Sequence, residues 1–232
     1  MSIKKDISAK DVFSYLLLAV SAILITVTGI VFRQKFLLMI PLYVSLVVGL
    51  LQSRASRFSY LLGGLNCIIY TVAYVIMGLY AQAFSALLWS CPIQLVTFWQ
   101  WSRRSYKHST EFKRMHPIHW ILGGAAFALC FVLLQFVLRS AEGSYPTLDN
   151  LVALVGLLVS LMSMLSYREY SWLMLLSCAL NLTLFFVMTL DDPAQSTYLV
   201  YAVNSMICVV MQFFSVQKLY AEQKKEKEVA HA

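Results

Sequence analysis

The sequence predicts an all-α membrane protein with eight spanning helices and both termini in the cytoplasm. Hydrophobic residues make up 60% of the 232-residue chain and charged residues only 12%, which is too apolar for a soluble domain. Eight apolar segments are long enough to cross a bilayer as helices, at about 20 residues each. Basic residues concentrate in every second connection, as expected of cytoplasmic loops.

The predicted spans follow one another with short connections, so that almost all of the chain lies in the membrane. The first span follows the basic segment KKDISAKD, and its apolar run is too long for a typical signal peptide, so we expect it to be retained. The predicted spans cover residues 13–32, 36–53, 58–78, 82–102, 118–138, 148–166, 171–190 and 195–216.

The positive charges predict the orientation. Of the 18 Lys and Arg residues, only Arg33, Lys35 and Arg139 fall on the side opposite the N-terminus. The N-terminal segment, with Lys4 and Lys5, the loop with Arg103 and Arg104, and the C-terminal tail are therefore expected in the cytoplasm. The net charge of +7 follows from this topology, and it does not call for a nucleic-acid partner.

Motifs of enzymes and metal sites are missing from the sequence. His116 and His119 lack further ligands nearby, and no pair of cysteines has the spacing of a metal site. All of the cysteines fall within predicted spans, where they are expected to pack rather than to form disulfides. The sequence therefore predicts a protein that is not an enzyme and has no cofactor or metal. The five cysteines are Cys67, Cys91, Cys130, Cys178 and Cys208.

Two segments of the chain indicate an internal repeat. AQAFSALLWSCPIQLVTFWQWS, from Ala81 to Ser102, aligns with AQSTYLVYAVNSMICVVMQFFS, from Ala194 to Ser215. A repeat of three spans keeps its orientation only if a single span separates the copies, and span 118–138 does so. The prediction is a parallel 3+1+3 arrangement of spans, as in some transporters. The chain is accordingly divided into 1–35 (cytoplasmic N-terminus and extra helix), 36–102 (first repeat), 103–147 (basic loop and linker helix), 148–216 (second repeat) and 217–232 (basic tail).

Uncharged amides are the candidate site residues, because no Asp, Glu, Lys or Arg is expected well inside a span. An amide in hydrocarbon is costly unless it is paired. Each one can join neighbouring helices, or several can converge on a cavity that binds a polar solute, and both interpretations stay open. The amides taken as candidates are Asn66, Gln94, Asn181, Asn204 and Gln212.

Helical spacing places these amides beside aromatic or sulfur-containing side chains. Gln94, Phe98 and Trp101 share one helix face, Asn66 and Tyr70 share another, and a third combines Asn204, Cys208, Met211 and Ser215 with Gln212 at its margin. This mixture suits a ligand with an aromatic or cationic ring and hydrogen-bonding groups. Trp99 and Trp101 also precede Arg103 and Arg104, as interfacial anchors do.

Three segments resemble the PnuC family of bacterial vitamin transporters: LLGGLNCIIYTVAYVIMGLYAQ, PIQLVTFWQWSRR and SWLMLLSCALNLTLFF. The resemblance covers roughly residues 36 to 220. The family signature W-x-x-W is altered, since Phe98 takes its first position and Trp99 is displaced by one. Membership implies a SWEET-like fold and uptake of nicotinamide riboside by facilitated diffusion, with a cytosolic kinase that traps the product by phosphorylation. Similar proteins carry thiamine, riboflavin or deoxynucleosides.

The resemblance also implies a binding site. Gln94 matches the amide seven residues before the last tryptophan of the signature, Trp101 matches that tryptophan, and Asn66 matches the asparagine of the preceding span. The looser match of the second half adds three amides. With the aromatic residues that share their faces, the predicted substrate-binding set is Asn66, Tyr70, Gln94, Phe98, Trp101, Asn181, Asn204 and Gln212.

The leading hypothesis is a bacterial inner-membrane facilitator for nicotinamide riboside, with two three-helix bundles that rock around a central site. A thiamine transporter of the same family is the first alternative. A SWEET-type sugar carrier ranks lower because Ile93 separates Pro92 from Gln94, where such carriers have Pro-Gln. In a non-transporting scaffold the amides would only join helices. The expected partners are the vitamin, the bilayer and the kinase, and the oligomeric state is left open, a homo-oligomer included.

Overall fold

The computed structural model describes residues 9–140 and 144–231 and is almost entirely helical. Within these residues, eight helical segments are long and apolar enough to cross a membrane, which confirms the predicted fold class and number of spans. The helices are α1 (Ala9–Val31), α2 (Phe36–Ser53), α3 (Phe58–Ile76), α4 (Tyr80–Ser85), α5 (Cys91–Arg103), α6 (Pro117–Ser140), α7 (Pro146–Met164), α8 (Tyr170–Asp191) and α9 (Ser196–His231).

The sequence predicts one continuous helix for the fourth span, but the structure divides this span into two α-helices. Helices α4 and α5 are joined by a π-helical turn, Ala86–Ser90, so that the span runs from Tyr80 to Arg103. Pro92 stands in the first turn of α5. Proline has no backbone N–H, so it removes a hydrogen bond of the helix at this point, and π-helical turns occur where the ladder of bonds is disturbed.

Helix α9 is longer than a membrane span. Its 36 residues correspond to about 54 Å at 1.5 Å per residue, against about 30 Å of hydrocarbon. The basic tail that follows the last predicted span is therefore a helical extension of it. A short antiparallel hairpin after α5, formed by β1 (Ser105–Tyr106) and β2 (Ser109–Thr110), leads into the segment that packs against this extension.

Gln223 joins the extension to the hairpin and to the segment that follows it. Its Oε1 accepts the backbone N–H of Phe112 at 3.0 Å, and its Nε2 donates to the carbonyl of Thr110 at 2.9 Å. An exposed ion pair at 2.7 Å between Lys107 and Glu222 adds to the contact. The loop after α5 is thus bound to the last helix by paired backbone groups.

The remaining helices surround the middle of the bundle. Helix α2 packs on α3 and α9, α7 packs on α8, α3 packs on α5, and both α4 and α5 pack on α7. Helix α1 lies outside this group against α2 and α9, and α6 lies outside it against α7. The six other spans therefore enclose a central space between the first three-span set, α2 to α5, and the second, α7 to α9.

One end of the bundle carries the basic residues and is called the basic end below. Arg54, Arg104 and Arg168 lie there in the turns after α2, α5 and α7, and the backbones of these turns bond to the hairpin loop and the segment after it. Lys4 and Lys5, which the topology prediction uses, lie outside the described residues, as do residues 141–143 and Ala232. The five-part division of the chain stays a prediction.

Asp149 is a buried carboxylate that the sequence analysis did not single out. It lies in the first turn of α7 and is 1% exposed. One of its oxygens accepts the N–H of Ala81 at 2.8 Å and the other accepts the N–H of Gln82 at 3.1 Å. These N–H groups begin α4 and have no partner within the helix. Asp149 therefore attaches the first three-span set to the second at the end opposite the basic end.

We expect Asp149→Ala to lower the free energy of unfolding by about 2 to 3 kcal/mol, because two buried N–H groups lose a charged acceptor. Asp149→Asn keeps one side-chain oxygen and should lose about half as much. Thermal unfolding of the purified, detergent-solubilised protein measures both changes. Equal melting temperatures for wild type and Asp149→Ala would contradict the assigned role.

Candidate functional site

Two adjoining chambers occupy the space between the three-span sets. The basic-end chamber has a volume of about 190 Å³ and the far chamber about 170 Å³. Cys67, Tyr70 and Gln94 line both of them. The first set supplies walls from α2, α3 and the fourth span, and the second set supplies walls from α7 and α8, with Tyr201 of α9 completing the basic-end chamber. The chambers thus lie where relative movement of the two sets would change access to them.

Gln94 lies against α3 because Gly63 leaves room for it. A Cβ atom at Gly63 would stand 2.2 Å from Gln94 Oε1, so the glutamine could not keep this position. On the same helix, Gln94 Nε2 donates to Cys67 Sγ at 3.3 Å. The glycine and the thiol together determine the position of this amide at the junction of the two chambers.

Asn66 lies one turn along the same wall and is held by α2. Its Nδ2 donates to Ser45 Oγ at 2.8 Å and to the carbonyl of Pro41 at 3.1 Å. Its Oδ1 is buried and has no hydrogen-bond partner among the described residues. Buried acceptors are rarely left unpaired, so Asn66 offers an unused acceptor beside the basic-end chamber.

Tyrosines supply most of the aromatic surface of the chambers. Tyr70 stacks on Tyr74 with ring centroids 5.1 Å apart, and its hydroxyl accepts a hydrogen bond from Ser45 at 3.0 Å. Tyr60 and Tyr170 line the basic-end chamber. Such rings present a negative π face to a cation and an apolar surface to any aromatic ring.

None of the described residues that line either chamber is Asp, Glu, Lys or Arg. Asp149 contacts a residue of the far chamber, since one of its oxygens accepts the N–H of Gln82, and its other oxygen is bonded to the N–H of Ala81. A phosphate group placed in these chambers would lose its hydration without gaining a counter-charge, which is very costly. The lining therefore suits neutral or cationic aromatic compounds with hydroxyl or amide groups.

Trp101 packs behind the tyrosines that line the basic-end chamber. It is fully buried, and its Nε1 donates to the carbonyl of Ser163 at 2.9 Å. Its ring meets the edges of Tyr60 and Tyr170, with centroids 4.7 and 6.2 Å away. Gln212 supports the same wall, since its Nε2 donates to the Tyr170 hydroxyl at 2.9 Å. Trp101 and Gln212 thus position chamber-lining tyrosines.

The predicted residues separate into groups. Asn66, Tyr70 and Gln94 meet at the basic-end chamber, and Asn181 lines the far chamber with its Nδ2 bonded to the carbonyl of Ser177. Phe98, expected on the face of Gln94 and Trp101, packs instead on the ring of Phe58, with centroids 5.8 Å apart.

Asn204 lies away from both chambers. Its Oδ1 accepts a hydrogen bond from Ser21 of α1 at 3.0 Å, and with Cys208 and Met211 it faces α1 and α2. The stripe of residues on this face of α9 therefore contacts the extra helix. Hydropathy does not reveal this, because α9 has protein neighbours on more than one side.

Sequence reasoning missed Tyr60, Tyr170 and Gln82. Tyr60 and Tyr170 each follow an arginine at the start of the second span in a predicted repeat, in RFSY and REY, and this equivalence is a usable signal. Gln82 lines the far chamber, and its Nε2 has no hydrogen-bond partner among the described residues. It stood at the edge of the predicted span and was not counted as an intramembrane amide.

Neither the cysteines nor the histidines form another site within the described part of the chain. All five cysteines are free, and no described group of His, Cys, Asp and Glu could hold a metal ion. The rings of His116 and His119 lie 6.2 Å apart outside the bundle core.

Replacement of Trp99 and of Trp101 by phenylalanine should change the free energy of unfolding by different amounts. Trp99 is 52% exposed, with the Arg103 guanidinium 3.6 Å from its ring centre. We expect Trp101→Phe to lower the free energy of unfolding by about 2 kcal/mol, through a lost hydrogen bond and lost packing. Trp99→Phe, the matched control, should cost less than about 0.5 kcal/mol. Thermal unfolding in detergent compares the two, and similar losses would refute the distinction.

Comparison with known proteins agrees with this arrangement. The sequence profile of the nicotinamide mononucleotide transporter family matches residues 35–217, which is the region from α2 through the membrane part of α9. The structure is similar to the crystal structure of the vitamin B3 transporter PnuC, with a TM-score of 0.75 over 91% of each chain and 19% sequence identity. No curated protein sequence matches the chain.

The matched region excludes α1 and includes every helix that lines the chambers. The likeness of structure shows a common fold, and the family match covers most of the chain. The resemblance predicted from the sequence is confirmed. The chain belongs to the nicotinamide mononucleotide transporter (PnuC) family, whose members are membrane transporters and not enzymes.

Proposed function

We propose that this protein imports nicotinamide riboside across the bacterial inner membrane by facilitated diffusion. The observation that carries the proposal is the uncharged, tyrosine- and amide-lined pair of chambers between the two three-span sets. The pyridinium ring of the riboside carries a positive charge that tyrosine faces attract, and its ribose hydroxyls can bond to Asn66 and Gln94. Both termini are cytoplasmic in this proposal, by the distribution of basic residues.

The chambers favour the riboside over the mononucleotide after which the family is described. A mononucleotide carries a phosphate, and no described lining residue is a cation that could pair with it. Thiamine is the alternative substrate, because it also has a cationic aromatic ring. The riboside ranks first since its several hydroxyls match the serine and amide groups that line the basic-end chamber, including Ser45, Ser160 and Asn66.

The contacts of α7 with the fourth span support a mechanism of alternating access. Near one end Asp149 holds α4, and near the basic end the carbonyl of Ser163 holds Trp101 of α5. When the sets rock about the chambers, one of these contacts opens while the other stays closed. The uncharged lining supports movement down the gradient without a coupled ion, and phosphorylation by a cytosolic kinase would keep the product inside.

Within this mechanism the predicted site residues have different proposed roles. Asn66, Tyr70, Gln94 and Asn181 contact the substrate, together with Tyr60, Tyr74, Gln82 and Tyr170. Trp101 and Gln212 position the tyrosines of the wall. Phe98 and Asn204 hold helices together, at α3 and at α1 respectively.

Uptake into proteoliposomes tests the substrate. We expect vesicles that contain the protein to take up labelled nicotinamide riboside faster than empty vesicles, whereas labelled nicotinamide mononucleotide should enter both at the same rate. Labelled thiamine, measured in parallel, decides between the two candidates. Uptake of the mononucleotide as fast as that of the riboside, or failure of the riboside to enter, would overturn the proposal.

Gly63→Ala tests the position of Gln94 without removing the amide. The new methyl group requires Gln94 to move, so the affinity for the substrate should fall about tenfold, the effect of one lost hydrogen bond of about 1.4 kcal/mol. Titration calorimetry with nicotinamide riboside measures this. The matched control is Gly124→Ala, which introduces a methyl group with no neighbour within 4 Å, and its affinity should equal that of wild type. If Gly63→Ala binds equally well, Gln94 is not part of the site.

A further inference from the structure

A third cavity lies outside the bundle, between the segment after the hairpin and the extension of α9. It is lined by Phe112, Lys113, Tyr220, Gln223, Lys224 and Lys227, and at about 510 Å³ it is larger than either chamber. We call it the tail groove. Tyr220 stands about 36 Å along α9 at 1.5 Å per residue, beyond about 30 Å of hydrocarbon. The tail groove is thus at the level of the lipid headgroups or past them.

The walls of the tail groove are fixed by hydrogen bonds. Both polar atoms of Gln223 are used in its bonds to Phe112 and Thr110. Phe112 is 5% exposed, and its ring stacks on Tyr170 with centroids 6.2 Å apart. The same aromatic cluster, which includes Trp101, separates the tail groove from the basic-end chamber. The tail groove thus has walls held by hydrogen bonds and packing, and it shares no described lining residue with either chamber.

Lysines from two elements line the tail groove, and the Lys113 ammonium also lies 4.6 Å from the ring centre of Tyr167. Lys113 comes from the segment after the hairpin, and Lys224 and Lys227 lie three residues apart on α9, so they share a face. Among the described residues that line it, Glu228 is the one acidic residue. Lys224 pairs with Glu228 and Lys227 with Glu111, each at 3.6 Å and with largely exposed side chains. Exposed pairs of this kind contribute little, so an anion with two charges can compete for the lysines.

An aromatic surface adjoins these lysines. Tyr220 lines the tail groove, and the guanidinium of Arg168 lies 4.5 Å from its ring centre. A flat ring can stack on Tyr220 while an attached phosphate reaches the lysines. The tail groove therefore combines cations with an aromatic face, whereas the chambers inside the bundle have aromatic faces but no lysine or arginine among their described lining residues.

We propose that the tail groove binds a phosphate-bearing ligand through Lys113, Lys224 and Lys227. The phosphate can belong to a soluble nucleoside monophosphate, whose base would stack on Tyr220, or to the headgroup of an anionic lipid. Since the tail groove is built from the loop after the first three-span set and the last helix of the second, a bound ligand connects the two sets. A bound ligand should therefore slow transport. This effect on transport rests on the proposed function, whereas the binding itself is independent of it.

The test compares two double variants of equal charge. Lys224→Ala with Lys227→Ala removes two lysines of the tail groove, and Lys218→Ala with Lys225→Ala removes two lysines of the same helix that do not line it. Titration calorimetry in nanodiscs of phosphatidylcholine measures the affinity for adenosine 5′-monophosphate, inorganic phosphate and adenosine. Native mass spectrometry from mixed phosphatidylcholine and phosphatidylglycerol micelles counts the retained phosphatidylglycerol.

A soluble ligand is supported by three results together. Wild type binds the monophosphate more tightly than adenosine, and the tail-groove variant loses about tenfold or more of that affinity, as expected for charged hydrogen bonds. The affinity of the control variant stays within twofold of wild type. A lipid ligand is supported if the tail-groove variant alone loses bound phosphatidylglycerol. The proposal is overturned if neither probe binds in a phosphate-dependent way, or if both variants weaken binding equally.

Discussion

The attachment of α7 to the fourth span is the interaction on which the rest of the structure depends. Asp149 receives the first N–H groups of α4, and near the other end of the helix the carbonyl of Ser163 receives Trp101. Between these points α7 contributes Gly156, Val159 and Ser160 to the chambers. Because the helix is bonded near both ends, the space along its middle stays open without losing the contact between the two three-span sets.

The amides of the bundle serve two physical purposes, which are distinguished by the location of their partners. Asn204 bonds to Ser21, and Asn150 donates to the carbonyl of Phe131 and to Gln135, so these two join the peripheral helices α1 and α6 to the core. Asn66 and Gln94 bond to their neighbours with one amide nitrogen each and line the chambers. A polar side chain in a membrane therefore has to be located before it is assigned to packing or to binding.

Much of the fold was predictable because the bilayer imposes length and hydropathy on every span. The family was recognisable from three segments, which contain Asn66, Gln94 with Trp101, and Asn181. The site was predicted less completely. Lipid and protein neighbours are equally apolar, so hydropathy does not show which face of a helix lines the chambers. For this reason Asn204 was predicted to line the site, whereas its face of α9 contacts α1 and α2. Asp149 and Gln82 stood at span boundaries, where the sequence alone gives no reason to expect burial. Tyr70 was predicted because it shares a helix face with Asn66, whereas Tyr60 and Tyr170 were not grouped with a predicted amide and were missed.

The π-helical turn between α4 and α5 has a consequence for rotation about the helix axis. On a continuous α-helix, at about 100° per residue, Gln82 and Gln94 would project about 120° apart, on different faces. A π-helical turn takes up one additional residue, which reduces the angle to about 20°. Both glutamines can therefore line the far chamber, as they do. An irregular turn of five residues thus allows one span to present amides to a single cavity from two different depths of the membrane.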